Sequence, residues 1–409
     1  MRAFLGDKVI VLGVTGSIAA YKACEIASRL VEHGAQAIPV LSASAQQFVG
    51  AASFEGITGQ RAITSMFEPA QNPDIEHIAV ARRADAFLIA PATANILAKA
   101  AQGMADDWLS TTLLATRAPV VFAPAMNMNM YSHPAVQANI ATLQSRGCAF
   151  VGPGSGQLAC GDMGPGRLIE TQAILEALAV ALHHDKPLAG KRVLLTSGAN
   201  HEPIDPVRYI GNRSSGKMGH AIALEAMRRG ATVTVVSGPA EVPPPYGARV
   251  VPAHTASAML EAVQAHWGES DIFIGAAAVA DYHVENPPAA KQKRSTATVH
   301  LELTPNTDIA AWVGLNKRGH QIAVGFAAET HNHLEFAQEK LRKKQLDLVV
   351  ANAVGVADSG FGKATTRAWL ITDDHVSAAL PLMSKEALAA LLFDAIAGLP
   401  AGVSAAPRA

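Results

Sequence analysis

The sequence predicts two consecutive α/β domains, each a mostly parallel sheet with helices on both faces. Three observations carry that prediction. Short, continuously apolar runs rich in β-branched residues alternate with longer helix-like stretches, the pattern of strands buried on both faces. The progression strand, glycine-containing loop, helix, Gly-Ala, strand occurs near residue 8 and again near residue 191. Finally, 409 residues, 49% of them hydrophobic, are enough for more than one sizeable core.

Residues 8–13 (KVIVLG) read as the first strand, and Val14-Thr15-Gly16-Ser17 as the turn into an amphipathic helix that reaches His33 and is ended by Gly34. Residues 36–41 form the next strand. Apolar runs at 86–90, 119–123 and 149–151 add three more, with helices at 107–116 and 134–145 between them. A helix over 171–182 is broken by His183-His184-Asp185-Lys186-Pro187, which divides the chain into domains 1–186 and 187–409. The second domain opens on a strand at 191–196, then a polar loop, a helix over 216–229 and a strand at 232–236. The loops of the two halves differ completely, so this is not a true repeat. The runs 118–126 and 272–280 are shorter than the ~20 residues of a membrane span and read as buried strands. A disordered tail is expected from about residue 400.

Charge narrows the function classes. Lys+Arg number 33 against 34 Asp+Glu, a net charge of −1, which disfavours nucleic acid as the main partner. The N-terminus lacks the apolar core and cleavage site of a signal peptide. Three cysteines cannot all pair and show no zinc-ligand spacing. A cytoplasmic enzyme, not a membrane protein, is the expectation.

Amides exposed where a first strand meets a first helix favour a phosphate, and Gly13-Val14-Thr15-Gly16-Ser17 provides such a turn. Its GxxGS spacing is not the GxGxxG of dinucleotide folds, so NAD is disfavoured. Ala90-Pro91-Ala92-Thr93-Ala94-Asn95 follows another strand with small and hydroxyl-bearing residues, suited to a slot for a flat ring. Ser110-Thr111-Thr112 could reach the same phosphate. In Pro124-Ala125-Met126-Asn127-Met128-Asn129-Met130 the methionines read as core, whereas the Asn127 amide at a strand end needs partners. Cys160 stands in a glycine-rich stretch, 156–167, read as a flexible loop with an exposed, titratable thiol. Cys24 and Cys148 read as packing residues, and a lone histidine such as His77 is more often structural than catalytic.

Taken together, GSIAAYK, IEHIAVARRAD, APATAN, PAMNMNMY and LACGDMGPGR, in this order, resemble the flavin-dependent cysteine decarboxylases. The match is closest to the decarboxylase half of the bacterial bifunctional phosphopantothenoylcysteine decarboxylase/phosphopantothenate–cysteine ligases, and it covers residues 6–182. The resemblance implies a flavodoxin-like or Rossmann-like domain that binds FMN. Loss of CO₂ from an N-acylated cysteine would leave an unstabilised carbanion; oxidation of the thiol carbon to a thioaldehyde provides the electron sink, and the resulting enethiol is then reduced. By matching position, His77 is the implied acid/base residue, Asn127 holds the substrate carboxylate and Cys160 donates a proton. The implied FMN contacts are Gly16, Ser17, Ser42, Thr93 and Ser110. A homo-oligomer, with the flavin slot completed by a neighbouring subunit, is implied as well.

The stretch DPVRYIGNRSSGKMG, residues 205–219, is the most distinctive in the second half. Ser-Ser-Gly opening a helix offers hydroxyls and amides to a phosphate, although the spacing is not that of a Walker A loop. Residues 276–282 close an apolar run with Asp281, a partner for a ribose hydroxyl or a metal ion. Phe326, in GFAAET, is placed to stack on a base, with core packing as the simpler alternative. Cations gather in Lys291-Gln292-Lys293-Arg294 and in residues 340–344. About residues 188–397 resemble the Rossmann-like ligase half of the same bifunctional proteins. That resemblance implies activation of 4′-phosphopantothenate by CTP as an acyl-cytidylate, release of pyrophosphate, and attack by the amine of cysteine. Asn212 is implied in turnover of the acyl-cytidylate and Lys291 in stabilising phosphate charge. Ala276, Asp281, Asn306, Thr307, Asp308, Ile309, Phe326, Lys340 and Lys344 are implied CTP contacts, with Mg²⁺ near Asp281. Two departures are Ala199 and His201, where the family often has Thr and Arg, and the final Arg294 of a KxKK element.

Two other readings compete. A non-catalytic flavoprotein of the same fold has no need of His77, Asn127 and Cys160 together. An NAD(P)-linked oxidoreductase would need GxGxxG, which neither half carries.

Overall fold

The structure, a computed structural model, describes residues 1–67, 76–158, 161–293, 298–329, 331–353, 360 and 362–399. The chain forms two compact units, Met1–His184 and Asp185–Ala409. The tail expected from residue 400 lies outside the described residues.

In the first unit β1 (Val9–Val14), β2 (Gln36–Leu41), β3 (Ala86–Ala92), β4 (Val120–Pro124) and β5 (Ala149–Phe150) form a parallel sheet in the order β2-β1-β3-β4-β5. Alternate residues serve opposite faces. Leu12, Val14, Leu88 and Ala90 pack with Ile26, Leu30 and Leu178, while Val11, Phe87, Ile89 and Phe122 pack with Ile96, Trp108 and Ile140. Burial on both faces is why these strands read as unbroken apolar runs.

Two expectations need correction here. The helix after β1 begins as a 3₁₀ turn, Ile18–Tyr21, and becomes α-helical only over Lys22–Glu32. Ser17 caps the turn by accepting the Ala19 amide, which spends the first backbone donors on a tighter geometry. The glycine-rich stretch is no loose loop but an antiparallel hairpin, β6 (Gly154–Gln157) with β7 (Met163–Arg167). Two of its glycines, Gly164 and Gly166, permit close approach: a Cβ on Gly166 would lie 2.2 Å from the Met126 carbonyl oxygen. The methionines opposite are correspondingly not all core. Met126 packs against the core, Met128 lies against the hairpin at Gly164, and Met130 is exposed.

The second unit contains β8 (Arg192–Ser197), the hairpin β9 (His201–Pro203) and β10 (Tyr209–Gly211), β11 (Thr232–Ser237), β12 (Arg249–Pro252) and β13 (Ile272–Gly275). A two-stranded arm, β14 (Tyr282–Val284) with β15 (Leu303–Pro305), precedes β16 (Ile322–Glu329), β17 (Leu348–Ala353), β18 (Thr365–Thr366), β19 (Ala368–Ile371) and β20 (Met383–Ser384). The main sheet runs β12-β11-β8-β13-β16-β17-β19, parallel except for β19. Ile272 and Ile274 face one core with Leu195 and Leu388; Phe273 faces the other with Leu194 and Trp267. The apolar run 272–280 is a strand only as far as Gly275. Residues 276–281 instead form a loop at the carboxyl end of the sheet.

Candidate active sites at the two sheet reversals

In the first sheet the chain steps from β1 outward to β2 and then returns to β3 on the other side of β1. Ligand crevices form at such reversals, beyond the strand carboxyl ends. The structure ties the two bordering loops together. The Thr15 hydroxyl donates to the Pro91 carbonyl at 2.7 Å, accepts the Thr93 amide at 3.0 Å, and lies 3.2 Å from the Thr93 hydroxyl. Thr15 was not singled out from sequence, though its place between Gly13 and Gly16 was the available signal. Gly16 abuts the loop after β2 so closely that a Cβ would lie 2.4 Å from Ser44 Cβ. Ser17, Ser42 and Thr93 therefore border one crevice, each capping a local turn or helix start.

Ser110 departs from its expected role. It is buried, and its hydroxyl completes a capping box with Asp107, donating to that carboxylate at 2.8 Å and accepting the Asp107 amide at 3.1 Å. Lys99 reaches Asp106 and Asp107 at 2.7 and 2.8 Å. This cluster organises the start of helix Trp108–Ala115 rather than presenting a hydroxyl outward.

Asn127 caps helix Met128–Ser132, its side-chain oxygen accepting the Asn129 amide at 2.8 Å. One residue earlier, the Met126 amide donates to the Gly166 carbonyl at 2.9 Å, which stitches the β6–β7 hairpin to the Asn127 segment. Cys160 itself lies outside the described residues. His77 sits half-buried in the first turn of helix Glu76–Arg83. Because that helix leads into β3, its N-terminal end faces the carboxyl edge of the sheet. Cys24 and Cys148 are half-buried and pack against the cores; burial pushes both thiols up.

The second sheet reverses between β8 and β13. Here Ala199 bridges Ala278, and the Asn212 amide nitrogen donates to the carbonyls of Ala278 at 3.3 Å and Val279 at 2.9 Å. Asn306 closes the same loop from the other side, its side chain donating to the Ala280 carbonyl at 2.9 Å and its backbone amide to that of Asp281 at 2.8 Å. Gly216 starts helix Lys217–Arg228 at φ +79°, where a Cβ would lie 2.6 Å from the Val242 carbonyl oxygen. His201 stacks on Tyr209 with ring centroids 3.7 Å apart.

The remaining expected contacts divide. Thr307 and Asp281 are exposed at the crevice edge. Ile309 is buried in the core, so its side chain is not a ligand contact. Phe326 is half-buried against the core, the simpler of its two readings. Lys340 donates to the Phe326 carbonyl, and Lys344 pairs with Asp308. Burial opposes ionisation of Asp308, yet that pairing holds its carboxyl below the usual range. Both lysines thus brace the second unit internally. Lys291 is exposed, on a loop fastened to the β9–β10 turn: Asp205 accepts the Gln292 amide at 3.3 Å, and Arg208 donates to the Gln292 carbonyl at 3.1 Å. Neither Asp205 nor Arg208 was assigned a role from sequence; their i, i+3 spacing was the signal. The Arg208 guanidinium, helped by three backbone amides, holds Asp205 far below the usual carboxylate range despite its burial.

Two parallel-sheet units, each with a polar crevice at its reversal, define a two-domain nucleotide- or flavin-binding α/β protein. Residues 4–183 match the family model described as Flavoprotein, and residues 188–399 match the DNA/pantothenate metabolism flavoprotein C-terminal domain. The chain is 43% identical over 386 residues to the coenzyme A biosynthesis bifunctional protein CoaBC of Vibrio vulnificus (strain YJ016), covering 94% of this chain and 96% of that one. It is 43% identical over 385 residues to the protein of the same name from Bacillus subtilis (strain 168), covering 93% and 94%. A crystal structure of the C-terminal domain of a CoaBC protein superposes with TM-score 0.44 at 38% identity, over 52% of this chain and 96% of that domain. The chain belongs to the CoaBC family of bifunctional coenzyme A biosynthesis proteins. No helix among the described residues is long and apolar enough to cross a membrane.

Two outcomes follow from this geometry. Gly16→Val must force the β1 turn away from Ser44, so the purified variant should lose most of the flavin absorbance of the wild type while keeping its far-ultraviolet circular dichroism. Asp205 has a folded-state value below its unfolded one of about 4, so its contribution to stability is complete above that range and is lost as pH falls toward the folded value. Calorimetry of Asp205→Asn should show a lowered transition at pH 7 and a gap to wild type that narrows as the pH drops below about 4.

Proposed function

We propose that this chain makes 4′-phosphopantetheine in two steps. The second unit joins cysteine to 4′-phosphopantothenate through an acyl-cytidylate formed from CTP, and the first removes the carboxylate of the cysteine moiety with FMN. The observation that carries this reading is the gathering of the family-implied residues at the two sheet reversals: Gly16, Ser17, Ser42 and Thr93 at one, Asn212, Asp281 and Asn306 at the other.

The β1 turn suits the phosphate of FMN, since Gly16 leaves no side chain in the way and Ser17 and Ser42 supply hydroxyls. Bound there, FMN supplies a reversible two-electron oxidation of the thiol carbon. Asn127, whose side-chain oxygen accepts the Asn129 amide at the start of helix Met128–Ser132, is the residue the family resemblance gives for the substrate carboxylate. The family resemblance gives Cys160 as the thiol that delivers a proton and His77 as the remaining acid/base group. Exposed Ile18 and Tyr21 beside Ser17 support a neighbouring copy covering this slot in a homo-oligomer.

In the second unit Asn212 is held by two carbonyl oxygens through its nitrogen, which fixes its side-chain oxygen in the crevice for the activated acyl group. Lys291 offsets the charge of the polyphosphate. Mg²⁺ would enter with the polyphosphate of CTP and be steadied by the exposed Asp281 carboxylate.

Purified protein should be yellow, with FMN as the released cofactor; a colourless protein that takes up no flavin overturns the first assignment. Cys160→Ala should keep FMN but accumulate the unreduced product, and full phosphopantetheine formation would remove the proton-donor role. Asn212→Asp sets a carboxylate against two carbonyl oxygens. It should still release pyrophosphate from CTP yet form little amide when cysteine is added, and a normal amide yield contradicts the role of Asn212.

A further inference from the structure

The reading above leaves the buried carboxylate of Asp205 without a function. The Asp205 side chain is 0% exposed, although its partner Arg208 is 51% exposed. One oxygen closes the local turn, accepting the amides of Val207 at 2.8 Å and Arg208 at 2.9 Å. A turn needs no more than that. The second oxygen accepts Arg208 Nε at 2.9 Å and then the Gln292 amide at 3.3 Å, 87 positions along the chain. Arg208 continues across to the Gln292 carbonyl at 3.1 Å. The peptide group joining Lys291 to Gln292 is therefore gripped at its N–H, and the next one at its C=O. Lys291, Gln292 and Lys293 are exposed and belong to no helix or strand, so nothing in regular secondary structure fixes them. An exposed lysine on an unfastened loop would have to be ordered each time a polyphosphate binds, at an entropic cost.

We propose that Asp205 is a positioning residue for Lys291: its carboxylate, with Arg208 as the bridge, grips the Lys291–Gln292 peptide and keeps the lysine ammonium at the nucleotide phosphates. The inference rests on the reading of Lys291 as the phosphate-charge residue. A carboxylate paired with a guanidinium also adds almost no net charge, so it fixes the loop without weakening the positive field of Lys291.

The test is a double-mutant cycle on the full-length protein, reading pyrophosphate release from CTP and 4′-phosphopantothenate. Lys291→Gln should slow release on the order of 100-fold, as loss of one charge-stabilising group does. Asp205→Asn should slow it on the order of 10- to 100-fold, mainly by raising KM for CTP, as misplacement does. The double variant should be no slower than Lys291→Gln within about 3-fold. Because Asp205→Asn also destabilises, Gln292→Pro provides the second arm. It deletes the gripped N–H and leaves the Val207 and Arg208 amides on Asp205, so it should raise KM for CTP with a smaller fall in melting temperature than Asp205→Asn. Multiplying effects in the double variant, or an unchanged KM in Gln292→Pro, overturn the grip while leaving the role of Lys291 standing. An unimpaired Lys291→Gln overturns that role and the grip with it.

Discussion

A parallel sheet that reverses its winding direction leaves two loops departing to opposite sides of adjacent strands, with backbone amides facing the gap between them. That constraint organises both halves of this protein. It places the loops after β1 and β3 side by side in one unit and those after β8 and β13 in the other. The strands below are inaccessible, since β3 is buried at all seven of its residues. Polar chemistry is thereby confined to the strand ends, and unrelated loop sequences on the two sheets arrive at the same kind of crevice.

Keeping such a crevice shaped requires ties between loops far apart in sequence, and here they are mostly side chain to main chain. Thr15 holds the Pro91 carbonyl, Asn212 holds those of Ala278 and Val279, and Asn306 holds that of Ala280. Each tie satisfies a loop carbonyl that would otherwise depend on water, so it adds rigidity where substrate must displace solvent. The consequence is that several polar residues serve twice. Asn212 donates its side-chain nitrogen to two carbonyl oxygens, which a carboxylate could not do, and that explains why an amide stands there.

The strands were legible in the sequence because burial on both faces leaves an unmistakable apolar run, and Gly34 and Gly230 marked where helices yield to strands. The β6–β7 hairpin was not. Its glycines look like flexibility in one dimension, whereas their cause is the approach of Met126 and Met128, which only the fold reveals. Ser110 misled for a related reason: a hydroxyl one turn into a helix serves a cap or a ligand with the same local sequence, and Asp107 decided for the cap. Ile309 followed the polar run before it into the predicted site but points into the core. His77 carried no signal in pattern or spacing, and Cys160 only that of a thiol in a glycine-rich stretch; their expected roles came from resemblance to a family.

Cations in the second unit illustrate why a basic cluster cannot be read by charge alone. Lys344 is committed to Asp308, Lys340 to the Phe326 carbonyl, and Arg229 to Glu225 and Asp394. Such groups have already lost their side-chain freedom, so they shape a site whose field they only partly supply. Lys291 is built the opposite way, with its backbone fastened and its side chain in solvent. A fastened backbone under an exposed side chain limits the entropy lost on ordering that ammonium to one side chain instead of a whole loop. With a net charge of only −1 across the chain, any positive field has to come from local arrangements of cations rather than from the protein as a whole.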